Sequence, residues 1–199
     1  MLPIPEVPRT GRFGLNCLNR EAPDVNNTHF KKVCLLGDFA VGKTSLVRRY
    51  VDAQFSDEYL STVGVKISRK HIEMTSRKTG ELLRAQVILW DLEGSTLLAS
   101  TNESYLKGAA GAIVVGDVTR QDTIANIKTH ITAFLRINPN GFLVVSYNKS
   151  DLMAGPRSFV SPLSFEGHDR VLDSIVTSAK SGEHIEHLFG VLCRKLVDP

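Results

Sequence analysis

Gly37-Asp38-Phe39-Ala40-Val41-Gly42-Lys43-Thr44 is the stretch on which the reading of this chain turns. It matches the pattern GxxxxGK[ST], and its neighbours give that pattern a context. Upstream, Lys31-Lys32-Val33-Cys34-Leu35-Leu36 reads as a buried strand; downstream, residues 43–53 have the spacing of a helix. A glycine-rich turn from strand to helix gathers successive backbone N–H groups and a helix N-terminus around one point, and such a concavity binds phosphate. The N–H groups of Asp38, Phe39, Ala40, Val41, Gly42, Lys43, Thr44 and Ser45 are the candidate phosphate ligands. Lys43 would spread positive charge over the β- and γ-phosphates, and the Thr44 hydroxyl suits Mg²⁺, a hard cation that takes oxygen ligands.

Outward from this loop, short apolar runs alternate with helix-period segments. Strands are expected at 63–74, 82–90, 112–115, 142–145 and 175–176, and helices at 95–107, 121–137 and 183–196. The first two strands flank Ser76-Arg77-Lys78-Thr79-Gly80, a polar turn ending in glycine, and so read as a hairpin. Strands alternating with helices predict an α/β fold with a mainly parallel sheet covered on both faces; the hairpin adds one antiparallel edge pair. Residues 152–173 carry Pro156, Pro162, Gly155 and Gly167 and are expected to be largely irregular. Residues 1–28 hold four of the eight prolines and read as an extended arm ahead of a single domain from residue 29 to residue 199.

Two later segments choose the base that accompanies the phosphates. Asn148-Lys149-Ser150-Asp151 follows the 142–145 strand, and Ser178-Ala179-Lys180 follows the 175–176 strand. Both fall where the carboxyl ends of parallel strands place ligands. A carboxylate at Asp151 can accept from the guanine ring N–H and its exocyclic amine, and the Ala179 N–H can donate to the guanine oxygen. Adenine would leave both groups unpaired, a mismatch that discriminates strongly.

Composition bounds the rest. The chain has 199 residues, enough for one domain with a real core. Its 24 Lys and Arg against 21 Asp and Glu give a net charge of +3, too weak to argue for nucleic acid. No apolar run reaches the ~20 residues of a membrane span. Cys17, Cys34 and Cys193 are an odd, scattered set that argues against a disulfide framework and for a reducing, cytoplasmic setting. The sequence ends Lys195-Leu196-Val197-Asp198-Pro199 without a C-terminal cysteine motif, so no prenyl anchor is expected, and any membrane association would be peripheral, through partners. Helix cysteine Cys193 is expected to face the core, His184 and His187 to be solvated, and Arg48, Arg49, Lys66, Arg69 and Lys70 to form a solvated basic face. Trp90 is expected in packing.

With these motifs in chain order, the sequence resembles the Ras superfamily of small GTPases, the Rab branch above all, over about residues 30–196. Thr62-Val63-Gly64-Val65 looks like the first switch of that family and Trp90-Asp91-Leu92-Glu93-Gly94 like the second. The resemblance implies a P-loop small G domain with six mostly parallel strands and five helices, binding GTP or GDP with Mg²⁺. It implies that Thr62 meets both Mg²⁺ and the γ-phosphate, that Asp91 holds Mg²⁺ through a water, and that the Gly94 N–H meets the γ-phosphate. Phe55 would stack near base and ribose, Tyr59 would lie over the phosphates, and the stems of Lys149 and Lys180 would line the base. Protein effectors, and exchange and activating factors, follow as partners of a monomeric switch.

The sequence departs from the family pattern around the catalytic water. Ser95 stands where the family has a water-orienting Gln, Glu93 where it has Ala, and Phe39 and Ala40 where small residues are usual. Slow GTP hydrolysis is therefore expected, with Glu93 a candidate to orient the water in place of the missing Gln. The alternatives are a protein that holds nucleotide constitutively as a docking scaffold and, further off, an adenine-specific P-loop enzyme.

Overall fold

The computed structural model describes residues 28–56, 62, 64–92, 103–153, 165 and 169–199. Residues 1–27 of the arm expected at 1–28, Tyr59, Glu93, Gly94 and Ser95 lie outside the described residues, as does most of 152–173. Thr28 belongs to the first strand, opposite Arg84, and not to an arm. Six strands form one sheet: β1 (Thr28–Leu36), β2 (Val65–Thr75), β3 (Leu82–Leu92), β4 (Gly111–Asp117), β5 (Phe142–Asn148) and β6 (Val171–Val176), in the order β2-β3-β1-β4-β5-β6. All pairings are parallel except β2 with β3, so the expected antiparallel edge pair is present. Its turn forms where Ser76–Gly80 predicted it: Ser76 and Glu81 close it through the backbone, and Gly80 takes a positive φ of 74°.

Helices cover both faces, as a parallel sheet requires. On one face lie α1 (Lys43–Asp52) and the last helix, Ile185–Val197. That last helix buries Ile185, Leu188, Phe189, Leu192, Cys193, Leu196 and Val197, a stripe at helical spacing. Tyr50 of α1 stacks flat on Phe189 with ring centres 3.9 Å apart, locking the two helices together. On the other face lie α2 (Glu103–Leu106), α3 (Gln121–Ala125) and α4 (Ile127–Ile137); the last helix is α5. The central strand β4 is buried at every position, between the core shared with α1 and α5 on one face and that shared with α4 on the other.

Three expectations change. The 121–137 helix is two helices separated at Asn126, whose side chain is engaged elsewhere, as described below. Strand β6 begins at Val171 rather than Ile175, because its pairing with β5 extends to Leu143. Lys70 is not solvated: its ammonium donates to the Tyr50 carbonyl at 2.8 Å, satisfying an orphan acceptor at the end of α1. Cys193 is buried as expected, and Trp90 packs under the Lys32 ammonium, 3.9 Å from its ring centre.

Replacing Phe189 with alanine removes the Tyr50 stack and leaves a cavity between α1 and α5. A loss of about 3–5 kcal/mol is expected, read as a shift in the denaturant midpoint at unchanged slope.

Candidate functional site

Parallel strands β1, β4, β5 and β6 all end at the same side of the sheet, and β3 runs with them. The loop from β1 to α1 lies at this edge. Its shape rests on two glycines. Gly37 has a φ of 138°, and a Cβ there would lie 2.2 Å from the Val115 carbonyl oxygen; Gly42 has a φ of 99°, and a Cβ would lie 2.3 Å from Asn148 Nδ2. Neither position admits another residue without rebuilding its neighbour. Gly42 precedes α1 with no side-chain cap, so side chains do not compete for the first-turn N–H groups. The buried Lys43 ammonium lies across the loop, donating to the Gly37 and Asp38 carbonyls at 2.8 Å each.

Beside Lys43, three oxygen-bearing side chains converge. Thr44 Oγ1 donates to Asp91 Oδ2 at 2.5 Å and lies 2.8 Å from Thr62 Oγ1. Since Thr44 has one hydroxyl hydrogen, Thr62 is the donor in that second bond. Burial pushes the Asp91 carboxyl up, opposed by the Thr44 hydroxyl and the Lys43 charge. The second carboxylate oxygen, Oδ1, is buried with no hydrogen-bond partner among the described residues. A buried carboxylate with one oxygen unsatisfied, beside two hydroxyls, fits a hard divalent cation and its water. Among the described residues no three His, Cys, Asp or Glu side chains group to hold a metal; the oxygens here come from threonines and one aspartate.

The base-side motifs meet a few ångströms away. A cleft of about 160 Å³ is lined by Gly42, Ser45, Phe55, Asn148, Lys149, Asp151, Leu152, Ala179 and Lys180. Asn148 is buried at its floor; its amide donates to the Val41 carbonyl at 2.9 Å and accepts from the Ala179 N–H at 3.1 Å. The Ala179 N–H, expected from the sequence to meet a guanine oxygen, thus stands at the cleft on the Asn148 side-chain oxygen. Asp151 is exposed at the cleft, and its Oδ1 accepts from the buried Ser178 hydroxyl at 2.5 Å, which fixes the carboxylate plane. Lys149 takes a left-handed φ of 68° and lays its stem along the cleft, its ammonium on Asp117 Oδ2 at 2.7 Å.

Several residues that hold this arrangement were not assigned to it from the sequence, and one of them, Arg49, was expected on a solvated basic face. Asp117 ends β4 in register with Asn148, and its buried carboxylate receives Lys149, the Thr119 N–H and hydroxyl, and Arg120. Desolvation raises its pKa, yet the Lys149 and Thr119 bonds win and hold the carboxyl below the usual range. Arg120 also donates to the Phe39 carbonyl at 2.7 Å, so Asp117 links the base motif to the phosphate loop. From α1, Arg49 donates to the Ala179 and Lys180 carbonyls, and its guanidinium stands 5.8 Å from the Phe55 ring centre. Asn126 and His130 both reach Asp38, at 2.8 Å each. The spacing of Asn126 and His130, one helical turn apart, was the only sequence signal among these.

Residues 32–151 match the family described as Ras of Complex, Roc, domain of DAPkinase. The chain is also 31% identical over 170 residues to the GTP-binding protein YPTM2 of Zea mays, a match covering 84% of this chain and 80% of that protein. The fold, the strand-end loop and these two likenesses define a P-loop small G domain. The chain belongs to the Ras superfamily of small GTPases, in its Rab-like branch. Among the described residues no helix is long and apolar enough to cross a membrane.

Asp117 gives this site a pH signature. A carboxyl lowered on folding stabilises the fold above its unfolded pKa of about 3.9, and that contribution is lost as pH falls through the folded value. Asp117→Asn is expected to lower stability at about pH 7, with the gap to the parent closing below about pH 4. Urea unfolding of both proteins across that range measures it.

Proposed function

We propose that this chain is a guanine-nucleotide switch that binds GTP and GDP with Mg²⁺, hydrolyses GTP slowly and signals to effectors through the loops carrying Thr62 and Gly94. The observation that carries the reading is the meeting of Thr62, Thr44 and Asp91 beside the Lys43 ammonium. Thr44 and Thr62 would hold Mg²⁺ directly and Asp91 through a water; when bound, the ion neutralises charge on the β- and γ-phosphates. Lys43, now on the loop's own carbonyls, would share its hydrogens with the phosphates, and the loop N–H groups from Asp38 to Ser45 would wrap them. Asp151 would accept from the guanine ring N–H and amine, already pinned for that by Ser178. Phe55, Lys149 and Lys180 would enclose the base, with Tyr59 over the phosphates.

Hydrolysis would place water in line with the γ-phosphorus, break its bond to the β–γ bridging oxygen and release phosphate, leaving GDP. Ser95 is too short to orient that water as a Gln would, so Glu93 is assigned to it, and the step is slow. Loss of the γ-phosphate would remove the Thr62 and Gly94 contacts and relax both loops. The residues ahead of 28 would form an arm outside the G domain, and the protein would work as a cytoplasmic monomer reaching membranes through its partners.

A specific observation also supports constitutive binding without turnover: Phe39, at the outer rim of the loop, is 49% exposed, where it would obstruct an arginine brought by an activating protein. Loading purified protein with GTP and Mg²⁺ and following bound nucleotide by chromatography over hours separates the two. Slow appearance of GDP supports the switch; GTP unchanged after hours supports the scaffold; retention of ATP in preference to GTP removes both. Asp151→Ala should weaken GDP binding by ~10²-fold or more and narrow the preference over ADP, because the base then loses both hydrogen-bond acceptors. Fluorescent-nucleotide competition measures that change.

A further inference from the structure

Asp38 is a carboxylate on a loop shaped for anions. Its charge would oppose a polyphosphate if the side chain swung inward. In the structure both of its oxygens face the other way. Oδ2 accepts from Asn126 Nδ2 and Oδ1 from His130 Nε2, each at 2.8 Å. Asn126 and His130 stand one helical turn apart, tied by the His130 N–H on the Asn126 carbonyl, so one face of the α3–α4 junction presents two donors at the spacing of a carboxylate.

The imidazole is held for this bond and for no other polar contact. His130 is 6% exposed, and its Nδ1 has no hydrogen-bond partner among the described residues. Burial pushes its pKa down and favours the neutral ring, against the opposing pull of Asp38. Neutral, with its hydrogen on Nε2, the ring donates to Asp38 and leaves Nδ1 as a bare acceptor. An apolar side chain would fill the same space without that unsatisfied nitrogen. Meanwhile the Asp38 backbone carbonyl, with that of Gly37, carries the Lys43 ammonium, and Arg120 fixes the next carbonyl, that of Phe39.

We propose that Asn126 and His130 are positioning residues for the phosphate loop: together they turn the Asp38 carboxylate away from the bound phosphates and fix the loop segment that carries Lys43. Neither lines the cleft proposed for the base. The inference rests on the proposed nucleotide site and deepens it. Its consequence is selective: the clamp acts on the part of the loop around the β-phosphate, so it governs GDP and hardly affects GMP, which lacks that group.

Competition of GDP and of GMP against a fluorescent GDP, with Mg²⁺ present, tests this in the full chain. His130→Leu is expected to weaken GDP by ~10-fold or more and GMP by less than ~2-fold. His130→Gln, whose amide can donate to Asp38, should return GDP to within ~3-fold of the parent. Asn126→Ala, at an exposed position that should not prevent folding, should show the same pattern at ~3-fold, and it decides the matter if His130→Leu does not fold. Equal losses for GDP and GMP, or GDP binding unchanged in Asn126→Ala and His130→Leu, overturn the clamp. A parent protein that binds no GDP overturns the nucleotide reading first, and the clamp with it.

Discussion

The side chain of Asn148 holds the functional end of the molecule together. From the end of β5 it donates to the Val41 carbonyl in the phosphate loop and accepts from the Ala179 N–H in the loop after β6. The Thr177 hydroxyl adds a longer bond to the same oxygen, so one buried amide joins three segments that are far apart in sequence. Burying an amide is unfavourable unless its donors and acceptors are matched, and here the matching groups are those that must be fixed. The same contact dictates Gly42: no Cβ can stand there while the Asn148 amide occupies that space. One polar side chain thus sets the conformation of the phosphate loop and the position of the base loop at once.

Around this centre the remaining tethers have a common logic. Lys149 and Arg120 both fall on the Asp117 carboxylate, and Arg120 continues to the Phe39 carbonyl. Arg49 runs the other way, from the helix behind the phosphate loop to the carbonyls of the base loop. Each is a charged donor on a backbone carbonyl or on a buried carboxylate, bonds stronger than neutral ones and directional enough to hold a loop in one shape. The loops are therefore shaped by contacts from the surrounding scaffold, and preorganisation of that kind reduces the ordering cost of binding.

How much of this was legible follows from where each signal lives. Gly37, Gly42, Lys43, Thr44, Asn148 and Asp151 act through backbone geometry at fixed local spacing, and a spacing can be read from one sequence. The tethers cannot be read that way, because Asp38 meets His130 across 92 positions and Arg49 meets Ala179 across 130. Lys70 shows the same limit: a basic side chain on an edge strand reads as solvated until the end of α1 is placed beside it. The bond from the Ala179 N–H to the Asn148 side-chain oxygen, across 31 positions, is another contact that no local spacing reveals. The sheet itself was legible because alternation of buried strands and amphipathic helices leaves few ways to cover both faces.

The three oxygen-bearing side chains beside Lys43 are unequal in one respect. Thr44 belongs to α1, anchored on α5 through the Tyr50 stack, and Asp91 belongs to β3, paired on both sides. Thr62 stands outside helix and strand, and its hydroxyl meets Thr44 and the Asp91 carboxyl. Two members of the group are thus carried by packed helix and sheet, and the third by a residue that belongs to neither. A ligand that rewards all three contacts stabilises the third most, because the first two are already in place. Removing part of that ligand acts first on the member that neither helix nor sheet holds. Under the proposed function that asymmetry converts the presence of one phosphate into the position of one loop.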